Sequence, residues 1–111
     1  IIKSLSLKML LKKGRIYMNN YETVFLIKDN ITDEQRNSVV EEIKNFLVKK
    51  GKISKVDDLG KRMLAYKIQN HQYAYYIVIY FSGTPDIIPE LERKYRINEN
   101  ILKFIIVKQD N

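Results

Sequence analysis

Residues 21–27, Tyr-Glu-Thr-Val-Phe-Leu-Ile, are β-branched and aromatic and too few for a core helix, so they predict a strand. Asp29-Asn30 is a turn signal. Thr32 then opens a helix, with Gln35 three residues on at the spacing of a capping box. Asp33 and Glu34 suit the positive end of the helix dipole, and Lys49 and Lys50 suit the other. Val39, Val40, Ile43, Phe46 and Leu47 recur at helical spacing, and Gly51 is expected to stop the helix in the left-handed conformation. Residues 52–82 read as a long hairpin. Asp57-Asp58 and Gly60 predict a bulge, residues 63–68 resume the strand, and Asn70-His71-Gln72 is the expected turn. Residues 73–81 are almost wholly apolar or aromatic, as in a strand buried on both faces. A second helix begins near Asp86, which puts Pro89 in the first turn, where no hydrogen bond is lost; Leu91 and Tyr95 then face the core. Asn98-Glu99-Asn100 turns the chain into a last strand over 101–107.

The order β-α-β-β-α-β predicts an α+β fold of the ferredoxin-like split kind, a four-stranded antiparallel sheet with both helices on one face. Right-handed crossovers put the first and third strands at its centre. Alternation places Tyr21, Thr23, Phe25 and Ile27 on one face of the first strand and Glu22, Val24, Leu26 and Lys28 on the other. We assign Phe25 and Phe104 to the helix-covered core. Val24, Leu26, Ile105 and Val107 then form an apolar patch on the open face, which a monomer rarely leaves bare. The patch predicts a protein partner or self-association; the plainer reading is modest exposure beneath lysine stems.

At 111 residues, with 45% hydrophobic and 30% charged residues, the chain has the balance of one globular domain, taken as residues 18–111. It has no cysteine, which excludes disulfides and thiolate chemistry, and no apolar run near the ~20 residues that span a bilayer. Five of its twenty Lys and Arg residues fall in residues 1–17, which hold no acid. Fifteen basic and thirteen acidic residues follow, so the +7 net charge shrinks to +2 over 18–111. Residues 1–17 admit three readings: a basic targeting helix, a basic arm that folds on RNA, or upstream read-through. We favour the third, a non-native or disordered extension. Lys13-Gly14-Arg15 back-translates to a purine-rich run two codons before Met18, as a bacterial ribosome-binding site would.

Nothing predicts catalysis, a metal or a cofactor. His71, the only histidine, falls in a predicted turn without clustered acids or cysteine. Glu41-Glu42 and Asp57-Asp58 are adjacent in sequence and point apart, and no glycine cluster cradles phosphate. Basic clusters are present at Lys49, Lys50, Lys52 and Lys55, at Lys61, Arg62 and Lys67, at Arg93, Lys94 and Arg96, and at Lys103 and Lys108. Each can contact phosphate, though solvated charge is the ordinary role of such residues. Lys61-Arg62 is the most suggestive pair because Tyr66 and Tyr73 are close in sequence, and aromatics beside cations stack on unpaired bases; burial is the competing reading of those tyrosines. The tyrosine-rich third strand lacks the basic residue and glycine of an RNA recognition motif.

Three stretches carry a resemblance. Met18-Asn19-Asn20-Tyr21-Glu22 resembles the opening of bacterial ribosomal protein six. Gly60-Lys61-Arg62-Met63-Leu64-Ala65-Tyr66-Lys67-Ile68 resembles that family's signature stretch, and Tyr95-Arg96-Ile97-Asn98-Glu99-Asn100-Ile101-Leu102-Lys103 resembles the approach to its last strand. The resemblance spans roughly 18–108. It implies a ferredoxin-like structural protein of the small ribosomal subunit, with no catalytic step. It also implies binding to the central domain of small-subunit ribosomal RNA together with ribosomal protein eighteen, in the cytoplasmic ribosome. By this resemblance Lys61, Arg62 and Lys103 occupy basic family positions. Lys67 and Lys108 join them as candidate RNA contacts, and Val24, Leu26, Ile105 and Val107 suit the protein partner. Asn19 and Asn20 stand where members often carry basic residues, and Lys67 where proline is usual. The competing class is a ferredoxin-like regulatory module that dimerises through its open sheet face.

Overall fold

The computed structural model describes residues 18–109; the 1–17 segment lies outside them. The elements are β1 (Asn19–Lys28), α1 (Asp33–Lys50), β2 (Gly51–Ile68), β3 (His71–Gly83), α2 (Ile87–Ile97) and β4 (Ile101–Gln109). The sheet order is β2-β3-β1-β4 with every pairing antiparallel, so the first and third strands are central, as the ferredoxin-like reading requires.

Both helices bury their apolar stripes against one face. Val39, Ile43, Phe46 and Leu47 of α1 and Ile87, Leu91 and Tyr95 of α2 meet Tyr21, Phe25, Ile27, Ile77, Ile79 and Phe81 in a single core. Thr23 is fully buried within it, and its hydroxyl is satisfied twice. It donates to the Ile105 carbonyl at 3.0 Å and accepts from the Tyr95 hydroxyl at 2.8 Å. The Tyr95 ring lies between Phe25 and Phe104, with centroids 5.2 and 4.8 Å away. Burial pushes the Tyr95 phenol well above its ordinary pKa, partly offset by the Thr23 hydrogen bond, so it stays a donor at any pH the fold meets.

The expected caps form. Thr32 Oγ1 accepts from the Gln35 amide, and the Gln35 side chain accepts from the Thr32 amide. Helix α2 starts after Asp86, which puts Pro89 within the first turn. Gly51 differs from expectation: it ends α1 with φ −168°, in extended backbone. Glycine is needed there for another reason. A Cβ would lie 2.1 Å from the Ser82 carbonyl oxygen, because β2 begins against β3 at that residue.

The hairpin turn also differs. Gln69 and Asn70 have φ of 49° and 68° between paired Ile68 and His71, a tight two-residue turn one position earlier than the 70–72 expectation. His71 therefore opens β3, and its Nδ1 lies 3.0 Å from Asp29 Oδ1 in the β1–α1 connection. The bulge expected near Gly60 is present, with Gly60 at φ 78° and its amide donating to Asp58. Residues 64–67 leave the β2–β3 ladder altogether, since the register passes from Met63↔Tyr73 directly to Ile68↔His71.

Replacing Thr32 with Ala is expected to lower stability by about 1 kcal/mol, read as a lower urea midpoint at unchanged m-value.

Candidate nucleic-acid and partner interface

Cross-strand partners share a sheet face, so the register defines the face the helices leave open. Val24 pairs with Ile105, Leu26 with Lys103 and Glu22 with Val107. On the other side of β1, Val24 pairs with Val78 and Leu26 with Tyr76. The four predicted partner-face residues thus lie on one face, with unequal exposure. Ile105 and Val107 are each 50% exposed, Val24 is half-buried, and Leu26 is only 7% exposed.

Leu26 is covered because Leu64 and Leu102 pack on it. These three and Ala74 form a second small core, with Ile68 and Tyr76 against it. Both coverers come from ladder irregularities. Leu64 belongs to the 64–67 excursion, and Leu102 is the extra residue where β4 slips between Leu26 and Ile27. The result is a groove of about 200 Å³ on the open face. Leu26, Leu64, Tyr66, Tyr76, Lys103 and Ile105 are among its lining residues. Strand alternation alone did not disclose Leu64 or Tyr76 as part of it, or Leu102 as part of the small core beside it; the Gly60 bulge was the one sequence sign that this strand departs from regular pairing.

The candidate cations are placed as follows. Lys61 pairs with Tyr75 and Arg62 with Ala74, so they project to opposite faces, Arg62 to the open one. Lys61 Nζ lies 5.6 Å from the Tyr73 ring centre. Arg62 Nε donates to the Leu59 carbonyl at 3.0 Å, which steadies its guanidinium across the bulge. Lys67 is exposed in the 64–67 excursion, and Lys103 stands at the groove. Lys108 pairs with Tyr21 and so lies on the helix side, five residues along β4 from Lys103. Lys61 and Lys108 therefore both lie on the helix-side face, at opposite edges of the sheet, while Arg62 and Lys103 project to the open one.

Ion pairing divides the described cations. Arg36, Lys44, Lys50, Lys55 and Lys94 each form an ion pair with an Asp or Glu. Lys61, Arg62, Lys67, Lys103 and Lys108 form none among the described residues, and neither do Lys28, Lys49, Lys52, Arg93 and Arg96. No Asp or Glu occurs anywhere from residue 59 to residue 85, so the distal hairpin has only positive charge. His71 and Asp29 make a two-group clasp. Among the described residues no cluster of three or more His, Cys, Asp or Glu could hold a metal.

The family model for ribosomal protein S6 matches residues 20–108. The chain belongs to that family. It is 38% identical over 95 residues to small ribosomal subunit protein bS6 of Caldanaerobacter subterraneus subsp. tengcongensis, covering 85% of this chain and all of the relative. It is 44% identical over 95 residues to the bS6 protein of Helicobacter acinonychis, covering 85% of this chain and 67% of the relative. The crystal structure of 30S ribosomal protein S6 from Thermotoga maritima superposes with a TM-score of 0.79 at 34% identity, over 84% of this chain and 89% of that one. An uncharacterized Thermotoga maritima protein, 16% identical with a TM-score of 0.57, shares the fold alone. Family membership makes this chain a structural, RNA-binding component of the small ribosomal subunit, active in translation and not an enzyme, and it decides against the regulatory-module class. No helix among the described residues is long and apolar enough to cross a membrane.

The burial of Leu26 changes what its substitution tests. Leu26→Asp is expected to destabilise the fold itself, because it buries an unpaired charge. Ile105→Asp, on the same face but half exposed, should keep stability within about 0.5 kcal/mol of the parent in urea unfolding.

Proposed function

We propose that this bS6-family chain binds the central domain of small-subunit ribosomal RNA jointly with ribosomal protein eighteen, in the cytoplasmic ribosome. Its open sheet face meets the protein, and Lys61, Arg62, Lys67 and Lys103 meet phosphate. Lys108 makes a separate phosphate contact from the helix side. The observation that carries the reading is the combination on one sheet end. Half-exposed apolar side chains line a groove there, beside Arg62, Lys67 and Lys103, with which no carboxylate among the described residues pairs. Exposed apolar surface of this kind favours a protein partner. Unpaired cations gain from displacing condensed counterions on RNA.

The two surfaces are modest individually. Held by one assembly, each raises the local concentration of the other ligand, so joint binding exceeds either alone. Only the phosphate part should respond strongly to salt.

The test is binding of the purified chain to ribosomal protein eighteen and a central-domain rRNA fragment at two salt concentrations. Tight, salt-sensitive binding by the pair and little by either protein alone is the expected result; a stable homodimer with no affinity for either ligand would refute it. Arg62→Ala should weaken RNA binding and lower the logarithmic salt slope by about 1 without altering the melting profile. Val107→Asp should weaken pairing with the protein and leave RNA binding by the single chain unchanged.

A further inference from the structure

Tyr66 is 69% exposed, the most exposed of the aromatic side chains among the described residues. The other tyrosines among the described residues are accounted for within the fold. Tyr21 and Tyr95 are buried, and Tyr76 packs against the small second core. Tyr75 has the Arg36 guanidinium 4.2 Å from its centre, Tyr80 has Lys55 and Tyr73 has Lys61. Leaving a tyrosine ring in water forgoes the burial such a side chain normally gains. The 64–67 excursion sends Leu64 into the core beneath and holds Tyr66 at the edge of the groove, with Ala65, Ile68 and Ile105 also lining it.

The charge around this ring selects its ligand. Lys67 follows it directly in sequence, Lys103 stands in the same groove, and Lys61 and Arg62 lie a few residues back along the same acid-free hairpin. A planar ring over an apolar groove that Lys103 also lines, with Lys67 next to it in sequence and Arg62 on the same face of the hairpin, fits a flat apolar group carried on a polyanion. An unpaired nucleotide has that chemistry. A base inside an RNA duplex does not, because its faces are already stacked and the narrow major groove admits no side chain. A second copy of this chain would bring the same cations against each other, and residues 1–17 would add five more.

We infer that Tyr66 is the stacking platform for a single unpaired base of the bound RNA, with the neighbouring cations holding the phosphates that flank it. The inference rests on the RNA-binding reading above and adds the form of RNA recognised and the side chain that recognises it. Ile105 and Val107 continue the apolar strip away from the hairpin along β4, so base and protein partner adjoin near Lys103.

The experiment uses the full chain as parent, Tyr66→Ala, Tyr66→Phe and Arg62→Ala. Each is titrated, with and without ribosomal protein eighteen, with a central-domain rRNA fragment, a short single-stranded oligouridylate and an RNA duplex of the same length, across a salt series. Circular dichroism melting verifies folding of each variant. Tyr66→Ala is expected to weaken binding to the fragment and to the single strand roughly 5- to 100-fold, with the salt slope unchanged, because a stacking contact releases no counterion. Tyr66→Phe keeps the ring and should bind like the parent, while Arg62→Ala should reduce the slope. Unchanged RNA affinity in Tyr66→Ala, with Arg62→Ala weakened, would overturn the stacking role and leave RNA binding in place. A loss confined to pairing with ribosomal protein eighteen would assign Tyr66 to the protein interface and overturn it equally. Failure of the parent to bind any RNA even with ribosomal protein eighteen present would remove the RNA-binding reading and this inference with it.

Discussion

Thr23 sits at the centre of the sheet with no access to water, and the fold is organised around satisfying its hydroxyl. The hydroxyl takes a hydrogen from Tyr95 on α2 and gives one to the backbone of β4 at Ile105. An unpaired hydroxyl at this depth would cost about 1 to 3 kcal/mol, so the two bonds favour one position of the helix and one register of the edge strand. That register carries a consequence for the opposite face. With Thr23 set against Ile106, Ile105 and Val107 can only point away from the helices. Phe25 and Phe104, packed on either side of the Tyr95 ring, support the same alignment from the core side.

A four-stranded sheet has two faces, and two helices cover one. On the other, the chain does something intermediate between exposing and burying its apolar residues. It uses two ladder irregularities to fold Leu64 and Leu102 onto Leu26, which protects the centre of the patch and leaves a groove beside it. The excursion that brings Leu64 inward also holds Tyr66 outward. Packing and presentation are therefore two results of one local departure from strand pairing.

The same region keeps its charge uncompensated. Elsewhere five cations pair with carboxylates, four of them along α1 or between the two helices. Exposed pairs of that kind contribute little to stability. Over the rest of residues 18–111 acids and bases nearly cancel, so the domain's small positive excess falls on the acid-free hairpin. A protein of modest net charge can in this way attract RNA to one end.

The elements were legible in the sequence because each was announced by local chemistry. Examples are the Thr32–Gln35 capping box, the placement of Pro89 in a first turn and the alternation of β1 about Thr23 and Phe25. The fold class followed from their order, and the family resemblance from three separated stretches. Local pattern also pointed to the open-face patch, since two-residue periodicity tells which side chains share a face. It could not tell how deep each would lie. Leu26, Ile105 and Val107 look equivalent along their strands, yet Leu26 is buried by residues 38 and 76 positions away, brought there by a four-residue slip and a one-residue bulge. Gly51 reads as a left-handed stop from its neighbours but is required by the Ser82 carbonyl across the sheet, and Lys103 and Lys108 look like one cluster until the pairing of β4 puts them on opposite faces. Local propensity and periodicity determined which elements form and which way their side chains alternate. Burial depth, close approach and charge clustering depend on contacts between residues far apart in the chain, and only the assembled sheet decided those.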